Sequence, residues 1–94
     1  MNKTAIEIPT IHLNGTSRNE LYEQVTSAGQ AVQEAIHKLA EAAPHGRDYY
    51  VVPAGDLKFD RAQEQHFARI AKLQEVYDEL ETIYQGLANQ ESKR

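Results

Sequence analysis

The chain has 94 residues, with ten Lys or Arg against fourteen Asp or Glu, and a formal net charge of −4. That length fits one domain, and an acidic surface repels a DNA or RNA polymer while leaving room for a small anion in a local basic pocket. There is no cysteine, which excludes disulfides, a thiol nucleophile and a cysteine zinc site and makes a reducing cytosol the expected compartment.

No apolar run approaches the roughly 20 residues needed to cross a bilayer. The first residues lack the roughly 7–15-residue apolar core of a signal peptide. A soluble intracellular protein with no membrane partner is expected.

An extended arm is predicted over 1–15. Ile6 and Ile8 alternate with Glu7, and Pro9 removes a backbone donor, so the segment does not read as a central strand. The arm is expected to lay Ile8, Ile11 and Leu13 against helices.

A first helix is predicted over 16–43. Leu21, Val25, Ala28, Val32, Ala35, Ile36, Leu39 and Ala43 recur at steps of three and four, the signature of an amphipathic helix. Ser17 followed by Glu20 fits a capping box, in which the serine oxygen takes a free amide and the glutamate reaches back to the serine's own amide. Glu34 and Lys38 are spaced for a favourable i,i+4 pair. Pro44 and Gly46 stop the helix.

Residues 44–55 read as an ordered connecting loop. Two prolines, two glycines and the adjacent Tyr49 and Tyr50 do not make a helix, and the segment is too apolar for a flexible linker.

A second helix is predicted over 56–89. Its row is Phe59, Ala62, His66, Ile70, Leu73, Tyr77, Leu80, Tyr84 and Leu87, close to a heptad in its second half. At 1.5 Å per residue the two helices are about 40 and about 50 Å long. The tail, 90–94, is expected to fray because it has nothing to bury. The fold expected is all-α: an antiparallel two-helix hairpin with a short extended N-terminal arm. Both apolar stripes are wider than one seam needs, so the hairpin is expected to assemble into a helical homo-oligomer.

Two stretches are candidates for ligand binding. The turn Asn14-Gly15-Thr16-Ser17-Arg18 opens the first helix, where free amides and a partial positive charge favour anions. Gly15 allows close backbone approach, Thr16 and Ser17 add hydroxyls, Arg18 adds a fork that matches phosphate, and Tyr22 lies a turn further on. The plainer reading is a turn and a capping box with a solvated arginine. In the loop, Arg47 beside Tyr49 and Tyr50 offers phosphate contact and ring stacking. The plainer reading there has one tyrosine plugging the open end of the hairpin.

The histidines, His12, His37, His45 and His66, show no metal-ligand spacing, and His66 falls in the apolar row as a hydrogen-bonded core residue. Arg69 and Lys72 share a face with Gln65 and His66, either as half of an anion site or as a salt-bridged surface. No nucleophile elbow, P-loop or dinucleotide fingerprint is present, so neither an enzyme nor a cofactor is expected.

With I-H-L-N-G-T-S ahead of the first helix and P-H-G-R-D-Y-Y between the two, the sequence resembles the small phage proteins that carry the anti-CBASS and anti-Thoeris hairpin domain, over roughly residues 8–87. The resemblance implies a nucleotide sponge in the cytoplasm of an infected bacterial host. Such proteins form helical oligomers, commonly hexamers, and sequester cyclic dinucleotides, in some members cyclic trinucleotides at a second site, without cutting them. It implies a stacking aromatic, for which Tyr22 is the best match and Tyr49 or Tyr50 the alternative. It also implies a basic partner for phosphate, with Lys38 favoured over Arg18 and His37 a further option, and it points to Arg69 for the second site. The competing expectation is a helical protein-protein interaction module, such as a phage inhibitor that docks its apolar stripe on a host protein.

Overall fold

The structure, a computed structural model, describes residues 5–92. Helix α1 spans Arg18–Glu41 and helix α2 spans Gly55–Ser92, joined by a segment that contains one 3-10 turn at Gly46–Asp48. No strand occurs among the described residues.

Helix α1 starts where its cap places it. Ser17 has extended backbone angles, and its Oγ accepts from the Glu20 amide at 3.2 Å. The reciprocal half of the box differs from expectation. The Ser17 hydroxyl donates to Glu20 Oε1 at 3.1 Å, so the carboxylate meets the side chain. At the other end α1 stops at Glu41, two residues short of the predicted 43, because Pro44 disfavours helical backbone in the residue before it. Ala42 N–H closes the last turn on the Lys38 and Leu39 carbonyls.

The connecting loop is ordered, as its composition implies. His45 Nδ1 accepts from the Arg47 amide, and Tyr49 is half-buried against Phe59 with ring centroids 5.7 Å apart. Tyr50 is 75% exposed. Ala54 then turns the chain with φ 58°, a left-handed conformation. Gly55 follows so close to the Tyr49 carbonyl that any Cβ would overlap it. That close approach is why glycine opens α2.

The helices run antiparallel. Tyr22 meets Tyr84, Gly29 lies beside Tyr77, Leu39 meets His66, and Gly46 lies beside Phe59, so forward steps in α1 match backward steps in α2. The arm packs on the far end of α2. Ile8 sits on Gly86, and the Gln90 side chain donates to Pro9 O at 2.6 Å and accepts from Ile11 N at 2.9 Å. Two expectations are corrected here. Leu13 is exposed, since a turn closed by Gly15 N–H on His12 O swings it away from the helices. The predicted frayed tail of 90–94 is helical through Ser92, and Gln90 at its start holds the arm. Residues 93 and 94 lie outside the described residues.

One chain closes little of its own seam. Among the described residues Leu87 is the one large side chain fully buried, while Leu21, Val25, Val32, Ile36, Leu39, Ile70, Leu73 and Leu80 are half-buried. The accessible surface is 7445 Å², against about 5,500 Å² for a compact monomer of this mass. The radius of gyration is 19.3 Å, against about 12 Å for a compact domain of this length.

Candidate functional site

The helix entrance is built mainly from groups already committed to one another. Asn14 and Thr16 are exposed in the turn, and the His12 ring fills the space beside Gly15, so a Cβ there would lie 2.6 Å from His12 Nε2. Both lone-pair and proton functions of Ser17 Oγ are used by Glu20. The Glu20 carboxylate already faces the positive end of α1, which is where an anion would sit. Arg18 begins the helix proper and is engaged in an interaction of its own.

One turn on, Tyr22 and Tyr84 pack edge to face with centroids 5.1 Å apart. They open onto a cleft of about 530 Å³ that Asn19, Thr26 and Gln30 also line. A neighbouring cleft of about 420 Å³ continues along the seam over Gly29, walled by Tyr77 and Tyr84 and rimmed by Gln30, Gln33 and Gln85. Both are lined by α1 and α2 together. Tyr77 Oη donates to Glu81 Oε2 at 3.3 Å, which fixes the ring. Burial and the neighbouring Glu81 carboxylate push the Tyr77 hydroxyl above the usual 10.0 of a tyrosine, with a smaller push from Asp78.

Helix geometry separates His37 from Lys38 on α1. His37 is four residues after Gln33 and continues the flank of Thr26, Gln30 and Gln33. Lys38 is nine residues after Gly29, two and a half turns on, and so faces away from the seam. It is largely exposed and pairs with Glu41 at 3.8 Å rather than with the expected Glu34. An exposed pair of this kind contributes little stability.

The loop end carries a separate cleft of about 350 Å³, lined by Arg69, His45, Gln65, Tyr49 and Asp48. His66, 6% exposed, forms part of its wall. Its Nε2–H donates to the Leu39 carbonyl at 2.5 Å, and Arg69 Nη1 donates to its Nδ1 at 3.5 Å. This histidine therefore ties α2 to one of the last carbonyls of α1 and orients Arg69. The sequence expectation of a hydrogen-bonded core histidine agrees with this placement. Arg47 and Tyr50 are exposed on the loop and do not line the cleft, whereas Tyr49 does. Among the described residues no three His, Asp or Glu side chains converge on one point.

The predicted site residues thus fall into groups at opposite ends of a molecule 64 Å long. Asn14 to Arg18 and Tyr22 lie at the arm end, and Arg47, Tyr49, Tyr50 and Arg69 at the loop end. Sequence reasoning missed Tyr77, Tyr84, Gln30, Gln33 and Gln85 as cleft-lining residues. The available signals were two tyrosines in an aliphatic row and a glycine in mid-helix.

No protein-family model matches the chain, and neither a curated protein nor a solved structure matches it.

Proposed function

We propose that this chain is a non-catalytic phage protein that captures cyclic oligonucleotide messengers of bacterial anti-phage signalling and holds them intact between copies of itself. The observation that carries the reading is the row Tyr22, Tyr84 and Tyr77 along a seam that one chain leaves half open. Aromatic faces beside amide side chains suit bases, since stacking contributes about 1–3 kcal/mol per base. Among the described residues of one chain, no Lys or Arg lines either tyrosine cleft. In this reading the phosphates are met by basic side chains of a neighbouring copy, with Lys38 favoured over Arg18, His37 a further option and Arg69 kept for a second site. The surplus surface of the lone hairpin supplies the drive for assembly, and a hexamer is the form that the resemblance favours.

Calorimetry with a panel of cyclic di- and trinucleotides tests this reading. Micromolar or tighter binding, with the nucleotide recovered unchanged after denaturation, supports it. Absence of heat and of thermal shift across the panel rejects it.

A second reading, a module that docks on a host protein, is favoured by one observation. Tyr50, Val51, Val52 and Leu57 form an exposed apolar group at the loop end. Light scattering separates the two. A monomer that binds no nucleotide favours the docking module, and a multimer that binds nucleotide favours the sponge.

A further inference from the structure

Gly29 is a glycine that the hairpin does not require. It sits in the interior of α1, where glycine is less favourable than alanine because it gives up more backbone freedom. Its φ is not positive, so the backbone makes no demand for it. A Cβ there would meet Tyr77 Cε1 at 3.6 Å, an ordinary van der Waals contact. Gly55 and Gly86 differ, because a Cβ at either would collide with Tyr49 or Ile8. What Gly29 does accomplish is to keep the floor of the cleft between the helices low. That cleft holds about 420 Å³, within the roughly 300–1,000 Å³ of small-molecule sites.

Its chemistry is selective. Tyr77 and Tyr84 bring aromatic rings to its wall, and the Tyr77 hydroxyl donates to Glu81. Gln30, Gln33 and Gln85 each bring both a donor and an acceptor to the rim. Among the described residues no lining side chain is cationic, and Glu81 is an acid, so the cleft disfavours phosphate while accepting an uncharged planar ring with a hydrogen-bonding edge. We propose that the cleft over Gly29 is a nucleobase pocket, in which Tyr77 and Tyr84 flank the ring, the three glutamines read its edge, and the phosphates stay outside. This rests on the reading of the protein as a cyclic-nucleotide sponge and assigns the base-selecting part of that site.

The test uses the full chain and two variants, Gly29→Ala and the surface double variant Gln30→Ala/Gln33→Ala. Each is titrated calorimetrically with cyclic di-AMP, cyclic di-GMP and cyclic GMP-AMP, and with adenosine and guanosine as uncharged probes. Gly29→Ala is expected to melt at a higher temperature, keep its mass by light scattering, and bind the preferred cyclic dinucleotide at least tenfold more weakly. The double variant is expected to bind at least tenfold more weakly and to lose preference between adenine- and guanine-containing ligands. Unchanged affinity in both variants overturns the pocket while leaving the sponge reading standing. If Gly29→Ala lowers the mass in solution, the cleft is a contact between copies and the pocket is likewise overturned. If the unaltered protein binds none of the cyclic dinucleotides, nor the cyclic trinucleotides of the wider panel, the sponge reading itself is rejected.

Discussion

Ile8 closes on Gly86 so tightly that a Cβ on the glycine would lie 2.8 Å from three carbons of the isoleucine. Two effects therefore oppose each other in Gly86→Ala. Helix propensity favours alanine by about 1 kcal/mol, while the added methyl expels Ile8 from its notch. We expect the arm to lift and the Ile11 amide, which donates to Gln90, to lose protection in hydrogen exchange. Ile8→Ala should make room and restore protection in the double variant, a coupling that a mutant cycle reads directly. Full protection in Gly86→Ala alone would show that the arm rides over the methyl.

Gln90→Leu tests the other tie. One side chain satisfies both Pro9 O and Ile11 N, and a net hydrogen bond contributes about 1 kcal/mol. Faster exchange at Ile11 with an unchanged midpoint of global unfolding is expected, because the arm opens locally. An unaltered exchange rate would place the hold on the arm in Ile8 alone.

The two helices were legible because their physics is local. The steps of three and four from Leu21 to Leu39 mark α1, and the Ser17 cap fixes its start. The arm's anchor was not legible, since Gln90 reads as a polar tail residue until the chain brings it to Pro9, 81 positions away. The site was less visible than the fold for the same reason. Tyr77 and Tyr84 occupy seam positions of the heptad, and nothing in that pattern says the seam is open beside them. That Lys38 faces away from the seam could be read only once Gly29 fixed which face of α1 meets α2.

His66 links the helices through the Leu39 carbonyl and is 6% exposed. His66→Leu keeps the volume but removes the donor. A cost of about 1–2 kcal/mol in urea unfolding is expected. His66→Ala adds a cavity and should cost about 3 kcal/mol. Arg69 also loses its contact, so thermal factors at Arg69 should rise and its order parameters fall in both variants. Equal stability of His66→Leu and the unaltered protein would mean that apolar packing replaces the bond in full.

Tyr77 sets an alkaline limit. Its hydroxyl is raised above 10.0 by burial first and by Glu81 second. A raised folded-state value means that the folded protein favours the neutral phenol. The resulting stability is fully present below the ordinary tyrosine range and is lost as pH climbs through the folded value. One tyrosine should therefore titrate late in ultraviolet absorbance, and Tyr77→Phe should abolish that late step. Stability measured between pH 6 and pH 8 should show no pH dependence from this ionisation. A late step that survives Tyr77→Phe would assign it to another ring.

Phe67 decides whether the surplus surface is used. It is 70% exposed on the lone hairpin, so Phe67→Asp removes little that one chain buries. Val76 lies nine residues on, half a turn out of phase, and marks the opposite flank of α2. If copies pack along the Phe67 flank, aspartate there carries an unpaired charge into the contact, which is strongly unfavourable. Phe67→Asp should then drop the light-scattering mass toward the 10.6 kDa of one chain while helical circular dichroism persists. Val76→Asp should leave the mass intact, and the reverse pattern would move the contact to the other flank. A single-chain mass for the unaltered protein itself would mean that the exposed seam is tolerated in water, and assembly would no longer explain it.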